Sequence, residues 1–197
     1  EHSLEQLSTS TLEFLTGYVD AHVGAIYVGD YKEFRLVATQ GVPKDGGIPQ
    51  SITAGDGLVG QAVSSKQTYL LSDVPEGYLY LSSAFGRGKP RHLLITPIEA
   101  DGRVNGVVEL GFLRDVGPAT VELLRRLSES MGVAIRSTEY RANLHNLLEE
   151  TQRQAEELET QSEELRVSNE ELEEQGKALK ESQRHLELQQ AELEQIN

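Results

Sequence analysis

The last third of the chain carries the most regular hydrophobic pattern. Leucine occurs there at every seventh position, and no proline interrupts the run. The repeating leucines are Leu158, Leu165, Leu172, Leu179, Leu186 and Leu193. A seven-residue apolar repeat keeps one seam of a helix against a partner helix and winds the two helices left-handedly. The pattern therefore predicts a two-stranded coiled coil with these leucines at heptad position d.

The other column of the predicted seam, heptad position a, is small or polar. It contains Ala155, Ser162, Asn169, Gly176, Gln183 and Gln190. A stable two-stranded coil prefers Ile or Val at this position, and a glycine inside a helix costs about 1 kcal/mol. Asn169 would favour a dimer and fix its register. The residues at heptad position g are uncharged, so salt bridges between positions g and e cannot determine how the helices pair. We expect a coiled coil with a defined register but a low dimer stability, which suits a signalling helix whose packing changes between states.

Shorter patterns precede this rod. Apolar residues at spacings of three and four predict a helix over residues 4–20. Apolar runs at 23–28 and 34–39 predict a β-hairpin, and runs at 92–99 and 104–113 predict a second hairpin with a tight turn at Asp101-Gly102. Between the hairpins, the pattern predicts a short helix over 58–65 and a short strand over 69–71. Residues 78–85 are ambiguous, and one interpretation is a turn of helix.

From Pro118 onward, apolar residues recur at helical spacing, and no glycine–proline break separates them from the heptad repeat. We therefore expect one nearly continuous helix to the C-terminus. The order of elements predicts an α+β fold with an antiparallel sheet of about five to six strands. The first and last helices would cover one face of this sheet, and residues 40–91 the other. The aromatic residues lie almost entirely before position 113. We therefore divide the chain into a globular domain, residues 1–140, and a coiled-coil helix, residues 141–197.

Composition narrows the possible partners. The net charge is −14, and residues 140–197 contain 15 Glu against 6 Lys or Arg. Such a surface repels nucleic acids and anionic lipids, so we expect neither nucleic-acid binding nor direct membrane contact. No apolar run approaches the roughly 20 residues of a membrane span, and no signal peptide opens the chain. A cytoplasmic location is expected. The chain starts in helical sequence and stops inside a heptad, so we also expect a fragment of a longer protein.

Four segments together resemble a known family. They are residues 52–63 (ITAGDGLVGQAV), 69–74 (YLLSDV), 91–98 (RHLLITPI) and 102–110 (GRVNGVVEL). Their order and spacing resemble a GAF domain over roughly residues 1 to 140. Residues 154–197 are similar to the coiled-coil linkers that follow GAF domains in bacterial hybrid sensor histidine kinases. The resemblance implies a cytoplasmic sensory module of a two-component system that signals through a parallel homodimeric coil.

The glycines Gly55, Gly57 and Gly60 match the dinucleotide-binding pattern G-x-G-x-x-G, with Asp73 eighteen residues beyond Gly55. The context does not fit, because residues 51–54 are too short and polar for a buried parallel strand and no alternating βα series follows. The protein-kinase glycine loop fails as well, since its partner motifs are missing. The favoured interpretation is a turn that starts a short helix.

The five histidines do not form a metal site, because no two of them have ligand spacing with a carboxylate partner. His92 lies on a predicted strand beside the candidate pocket and could bind haem or donate to a ligand, but a structural role is favoured. His185 invites comparison with a kinase phosphoacceptor, yet the expected continuation His-Glu-Leu-Arg-Thr-Pro does not follow. It would lie at an exposed position of the coil, so any phosphoacceptor histidine is expected beyond Asn197.

Candidate pocket residues come from the two hairpins and the segment between them. Glu109 is the most informative charge, because it interrupts an apolar strand and could anchor a ligand's donor groups; it could equally pair with Arg87 or Arg91. Aromatic residues would supply the surface that a pocket needs. The complete set of candidates is Tyr27, Tyr78, Tyr80, Phe85, His92, Thr96 and Glu109.

The ligand stays open. The Asn-Lys…Phe…Asp-Glu pattern shared by many cyclic-nucleotide-binding GAF domains is missing, which argues against a cyclic nucleotide. The chain has no cysteine, which excludes a covalently attached bilin, disulfides and thiolate metal sites. A small noncovalent molecule is left, with haem disfavoured. No catalytic constellation stands out, so we expect no enzyme activity within this chain and a histidine kinase in the full-length protein.

Two interpretations of function remain. In the first, the GAF domain senses a small molecule and the coil transmits the signal to a downstream kinase domain. In the second, the pocket is empty and the domain is a dimerisation scaffold, in which helices over residues 4–15 and 121–135 form a bundle across the dimer. A PAS rather than a GAF sensor is a third possibility. The glycine turn and the Asp101-Gly102 hairpin together favour GAF.

Overall fold

The computed structural model describes residues 2–43, 47–74, 81–83 and 86–196, with side chains over 4–43, 47–74 and 88–188. The chain divides into two compact units, Glu1–Asn143 and Leu144–Asn197. The elements in chain order are α1 (His2–Val19), β1 (Val23–Asp30), β2 (Glu33–Gln40), β3 (Ser51–Thr53), α2 (Gly57–Ser65), β4 (Tyr69–Ser72), β5 (Leu81–Ser83), β6 (Gly86–Gly88), β7 (His92–Ala100), β8 (Arg103–Phe112) and α3 (Pro118–Ile196).

Six of the strands form one antiparallel sheet in the order β3-β2-β1-β8-β7-β4, and β5 and β6 form a separate pair. Both predicted hairpins are present, β1–β2 and β7–β8. The second hairpin turns at Asp101 and Gly102, which both have positive φ, as the two-residue turns that match the twist of a sheet require. This architecture confirms the predicted α+β fold with an antiparallel sheet.

One face of the sheet is covered by α1 and α3. Leu12 and Leu15 of α1 and Leu124 and Ile135 of α3 are buried in a single hydrophobic cluster. The α1 helix also contributes Val19, and the sheet contributes Ile26, Val28, Ala38, Leu94, Ile98, Val108, Leu110 and Phe112. The expected placement of the first and last helices on one face is therefore confirmed.

The opposite face packs against α2. Val59, Ala62 and Val63 of this helix are buried against Tyr27 and Ile95 of the sheet. The apolar residues of α2 recur at spacings of three and four, so one side of a short helix is apolar and can cover the sheet. The sheet is thus enclosed on both faces, and the candidate site lies on this second face.

The sequence pattern predicts neither of two short strands. Ser51–Thr53 is not the buried parallel strand that a dinucleotide site would need, as expected, and forms an antiparallel edge strand on β2. Leu81–Ser83, for which a turn of helix was one interpretation, is a strand paired with Gly86–Gly88. Three residues are too few to show a period, and only pairing with a neighbouring strand specifies such segments.

The last helix, α3, extends from Pro118 to Ile196, which confirms the prediction of one continuous helix from Pro118. Within the second unit, the five d-position leucines with described side chains (Leu158, Leu165, Leu172, Leu179 and Leu186) are each 60–66% exposed. The exposed leucine seam is what a partner helix would cover, and the coiled-coil dimer stays a prediction. In the described parts of the chain, no helix combines the length and apolar character that crossing a membrane requires.

Candidate ligand cavity

A cavity of about 320 Å³ lies between the sheet and the start of α2. Its volume falls at the lower end of the range of about 300–1,000 Å³ found for small-molecule sites. Four parts of the chain meet there: β1, β8, the segment from Gly47 to Thr53, and the first turn of α2. The lining residues are Tyr27, Gly47, Ile48, Pro49, Ser51, Ile52, Thr53, Asp56, Gly57, Leu58, Val59 and Glu109.

Tyr27 and Glu109 form the part of the wall that belongs to the sheet. They lie on the adjacent central strands β1 and β8, where Ala25 is opposite Glu109 and Tyr27 is opposite Val107. The ring of Tyr27 is buried, and its hydroxyl donates to the carbonyl oxygen of Pro49 at 3.1 Å. This hydrogen bond ties the segment before β3 to the centre of the sheet.

Glu109 brings a carboxylate to a wall that is otherwise apolar on the sheet side. It is buried, and its cross-strand neighbours are Ala25 and Ile95. A carboxylate accepts hydrogen bonds and donates none when ionised. In this low-polarity setting such an acceptor would select ligand groups that carry N–H or O–H donors, because an acceptor facing it would be repelled.

The glycine motif builds the opposite wall. Gly55 and Gly57 have positive φ, which a glycine adopts without strain. At Gly60, a Cβ atom would lie 2.3 Å from the carbonyl oxygen of Thr53, so only glycine allows α2 to approach β3 this closely. The interpretation of the motif as a turn that starts a short helix is confirmed.

The first turn of α2 presents backbone donors at the cavity. Asp56 precedes the helix in an extended conformation, and its side chain makes no capping hydrogen bond. The first amides of an α-helix have no intrahelical acceptor and carry a partial positive charge. The cavity therefore combines backbone donors beside Gly57 and Leu58 with an acceptor at Glu109. A small polar molecule that both donates and accepts hydrogen bonds suits this arrangement.

The comparison with protein families decides the identity of the domain. A family model described as a GAF domain matches residues 1–136. The chain belongs to the GAF domain family. GAF domains are signalling and sensory domains that occur in sensor kinases and other proteins, and they are regulatory rather than catalytic.

Solved GAF domains share the fold at low sequence identity. The GAF domain of a phosphoenolpyruvate-protein phosphotransferase from Coxiella burnetii is 20% identical with a TM-score of 0.58, covering 71% of this chain and 86% of its own. That of a two-component sensor histidine kinase from Bacillus halodurans is 15% identical with a TM-score of 0.52, covering 68% and 94%. A type II free methionine-R-sulfoxide reductase from Thermoplasma acidophilum is 17% identical with a TM-score of 0.56, covering 69% and 94%. These likenesses show the fold alone. No curated protein sequence matches the chain.

The GAF fold brings two of the seven candidate residues, Tyr27 and Glu109, into the cavity wall. Thr96 follows Ile95, which faces α2. Since successive residues of a strand point to opposite faces, Thr96 lies on the face covered by α1 and α3. Tyr78, Tyr80 and Phe85 lie outside the described residues.

His92 also lies away from the cavity. Its Nδ1 is 3.2 Å from the hydroxyl oxygen of Ser72, and its Nε2 is 3.0 Å from a carboxylate oxygen of Asp115. The imidazole therefore links the end of β4 to the segment that precedes α3. Among the described side chains, no group of three or more His, Asp or Glu is placed to hold a metal ion.

Sequence reasoning missed the residues that complete the GAF cavity, above all Ser51 and Thr53 of β3 and the stretch Gly47–Pro49 before it. One signal was available: the glycine motif requires a close approach of α2 to a neighbouring backbone, which the structure identifies as that of Thr53. The short strand itself carries no periodic pattern, so its position against β2 could not be read from the sequence.

Proposed function

We propose that this chain is the sensory and regulatory module of a bacterial signal-transduction protein. The GAF domain binds a small molecule in the cavity, and a dimeric coiled coil passes the signal to a downstream histidine kinase domain. The observation that carries the proposal is the cavity itself, with Tyr27 and Glu109 in its wall, in a domain whose last helix continues as a leucine heptad repeat.

The ligand is a small polar molecule held without a covalent bond. Glu109 accepts hydrogen bonds from its donor groups, the first turn of α2 donates to its acceptors, and Ile48, Ile52 and Leu58 contact its apolar part. A molecule of this kind fits a cavity of about 320 Å³. The same acidic wall disfavours a phosphate-bearing ligand, because its charge would lie near two carboxylates, Glu109 and Asp56.

The coil is a parallel homodimer with Leu158, Leu165, Asn169, Leu172, Leu179, Leu186 and Leu193 in its seam. The ion pairs recorded along the helix support this assignment, because they join residues of the same chain. Arg166, at heptad position e, binds Glu163 and Glu170 of its own helix at 2.6 Å each. Such pairs stabilise a single helix and leave the seam to the leucines. The polar a column keeps the pairing weak enough for its packing to change with the state of the domain.

The downstream domain is a histidine kinase. The likeness to the GAF domain of a two-component sensor histidine kinase supports this assignment at the level of the fold. A parallel coil suits it, because both partner chains then leave the dimer at the same end and bring two kinase domains together.

Native mass spectrometry of the freshly purified protein tests the proposal. We expect a dimer that carries a discrete extra mass, and we expect Glu109→Gln to lose that mass while remaining dimeric. Glu33→Gln is the matched control, because Glu33 is exposed on β2 and does not line the cavity. A dimer without extra mass, whose melting temperature also does not change with extracts of small metabolites, would contradict the sensor.

A dimerisation scaffold with an empty pocket is the second candidate. One observation favours it: Phe14 and Tyr18 of α1 stack with their ring centroids 5.6 Å apart, yet they are 61% and 67% exposed. Aromatic rings on the outer side of α1 would be buried if the helices formed a bundle across the dimer. In a scaffold, Glu109→Gln leaves the output of an attached kinase unchanged, whereas the sensor predicts an altered response.

A further inference from the structure

The outer edge of β7 changes its partner halfway along the strand. β4 pairs with residues 92–95 of β7, and no strand of the described chain covers that edge beyond Ile95. Beyond that point, the hydroxyl of Ser128 on α3 forms the hydrogen bonds to this edge. It donates to the carbonyl oxygen of Pro97 at 2.7 Å and accepts the N–H of Glu99 at 3.1 Å. A buried serine thus replaces a missing strand, which also suits Pro97, a residue without an N–H.

One turn further along α3, Gly132 touches the same strand. A Cβ atom on Gly132 would lie 2.3 Å from the carbonyl oxygen of Glu99 and 2.9 Å from the nitrogen of Ala100. Any side chain here would force the helix away from β7. Glycine is unfavourable inside a helix, so its presence here needs another explanation. That explanation is the close contact between α3 and the hairpin, which a side chain would prevent.

A third residue at the same spacing, Arg136, reaches the tip of the hairpin. Its guanidinium forms an ion pair with Asp101 in the β7–β8 turn. It is also held along its own helix, where it donates to the hydroxyl of Tyr140 at 2.7 Å and lies 5.3 Å from the centre of that ring. We call Ser128, Gly132 and Arg136, together with residues 97–101, the hairpin clamp.

The hairpin that is clamped also forms part of the cavity. Glu109 of β8 is opposite Ile95 of β7, two residues before Pro97. A β-bulge between Ile98 and Glu99 interrupts the ladder within the clamp. Glu109 is therefore one strand pair away from the segment that Ser128 holds, and the bulge bends the strand within that segment.

We propose that the hairpin clamp couples the cavity to α3, so that a change at Glu109 alters how firmly the segment of α3 from Ser128 to Arg136 is held. The purpose of this coupling rests on the proposed sensory function, but its physical existence does not. Simple packing would make the clamp residues important for stability and would produce no dependence of α3 on the charge at Glu109.

A double-mutant cycle followed by amide hydrogen exchange tests the proposal without any ligand. Glu109→Gln perturbs the cavity, Ser128→Ala removes the central contact of the clamp, and Ser130→Ala is the control because Ser130 is exposed on the same helix. We expect Glu109→Gln to change the exchange rates of amides 128–136 by roughly two- to thirtyfold, the size of measured couplings between sites. This change should disappear in the Ser128→Ala background and persist with Ser130→Ala.

Equal changes in all three backgrounds, or no change in the parent protein, would overturn the coupling. If Ser128→Ala does not fold, Arg136→Gln replaces it, with Arg141→Gln as the control at an exposed position of α3. Failure of the proposed function is a separate result. If the protein binds no small molecule but the effects of Glu109→Gln and Ser128→Ala are non-additive, the clamp couples the cavity to α3 without serving a sensor. If it binds one and the two effects are additive, the signal reaches α3 by another route.

Discussion

The carbonyl oxygen of Glu99 lies 2.3 Å from the point that a Cβ atom of Gly132 would occupy. Nonbonded carbon and oxygen atoms do not approach this closely, so the backbone of β7 fills the space of a side chain on α3. The position lies inside a 79-residue helix, where glycine is a poor choice by propensity. Contact between the helix and the sheet, rather than helix formation, therefore accounts for the residue.

Replacing Gly132 with Ala should destabilise the domain by about 1–3 kcal/mol, because the added methyl group pushes α3 away from β7 by more than helix propensity restores. Urea unfolding followed by circular dichroism measures the change. Gly17→Ala in α1 is the matched control, since nothing lies within 4 Å of its Cβ position and it lies outside the coiled-coil seam. It should stabilise the helix by up to about 1 kcal/mol. Two alanine variants with gains of the same sign would contradict the close contact.

Ser128→Ala should lower the free energy of unfolding by about 1–3 kcal/mol, because it leaves the carbonyl of Pro97 and the N–H of Glu99 without their side-chain partner. Ser130→Ala makes the same change in composition and helix propensity at an exposed position and should have almost no effect. The difference between the midpoints of the two denaturation curves isolates the hydrogen bonds. Similar midpoints would mean that water replaces the hydroxyl at no cost.

Most of the fold could be predicted because its longer elements carry local signals: two hairpins with alternating or apolar runs, and helices with stripes at spacings of three and four. The cavity was harder. Glu109 could be singled out because a charge interrupts an apolar strand. His92 and Thr96 could not be assigned to a face, since β7 is buried on both faces and alternation defines two faces without saying which one carries the cavity. β3 offered only three residues, and its place depends on pairing with β2.

The stability of the domain should depend on pH through Glu139. Partial burial and the nearby Asp30 raise the pKa of its carboxyl above the ordinary value, and Arg136 opposes this shift only in part. A raised pKa means that the folded state binds the proton more tightly. The contribution to stability is therefore largest below the ordinary pKa and is lost as pH rises through the folded-state pKa. Glu139→Gln should raise the melting temperature at neutral pH and give no gain in acid.

Glu122 supplies the control of opposite sign for that pH series. Arg125 and Arg126 lower its pKa to about 2 through hydrogen bonds on the helix surface. Its stabilising contribution is present above the ordinary carboxyl pKa and is lost as pH falls through the folded-state value. It should be small, because exposed ion pairs contribute little. At neutral pH, the melting temperature of Glu139→Gln should lie above that of the parent and that of Glu122→Gln slightly below it, and both differences should vanish in acid. Shifts of the same sign would contradict the assignment.

Asn169→Ile should strengthen the dimer, because an apolar side chain replaces a polar one in the a column of the seam. Burying an isoleucine in each chain should tighten dimerisation by about tenfold or more. Sedimentation velocity over a concentration series measures the dissociation constant. Val167→Ile adds a methylene at an outer heptad position and should leave the constant unchanged. An unchanged constant for Asn169→Ile would mean that this column does not face a partner chain.

The direction of the two chains can be determined with a single cysteine, since the native sequence has none. In a parallel coil in register, residue 169 of one chain lies opposite residue 169 of its partner. Asn169→Cys should therefore form an intermolecular disulfide under mild oxidation, whereas Val167→Cys, on the outer side of the coil, should form one much more slowly. Nonreducing electrophoresis of both variants gives the ratio of rates. Equal, slow rates in a protein that sedimentation shows to be dimeric would establish an antiparallel or shifted coil, and the proposed route from the GAF domain to a paired kinase would be wrong.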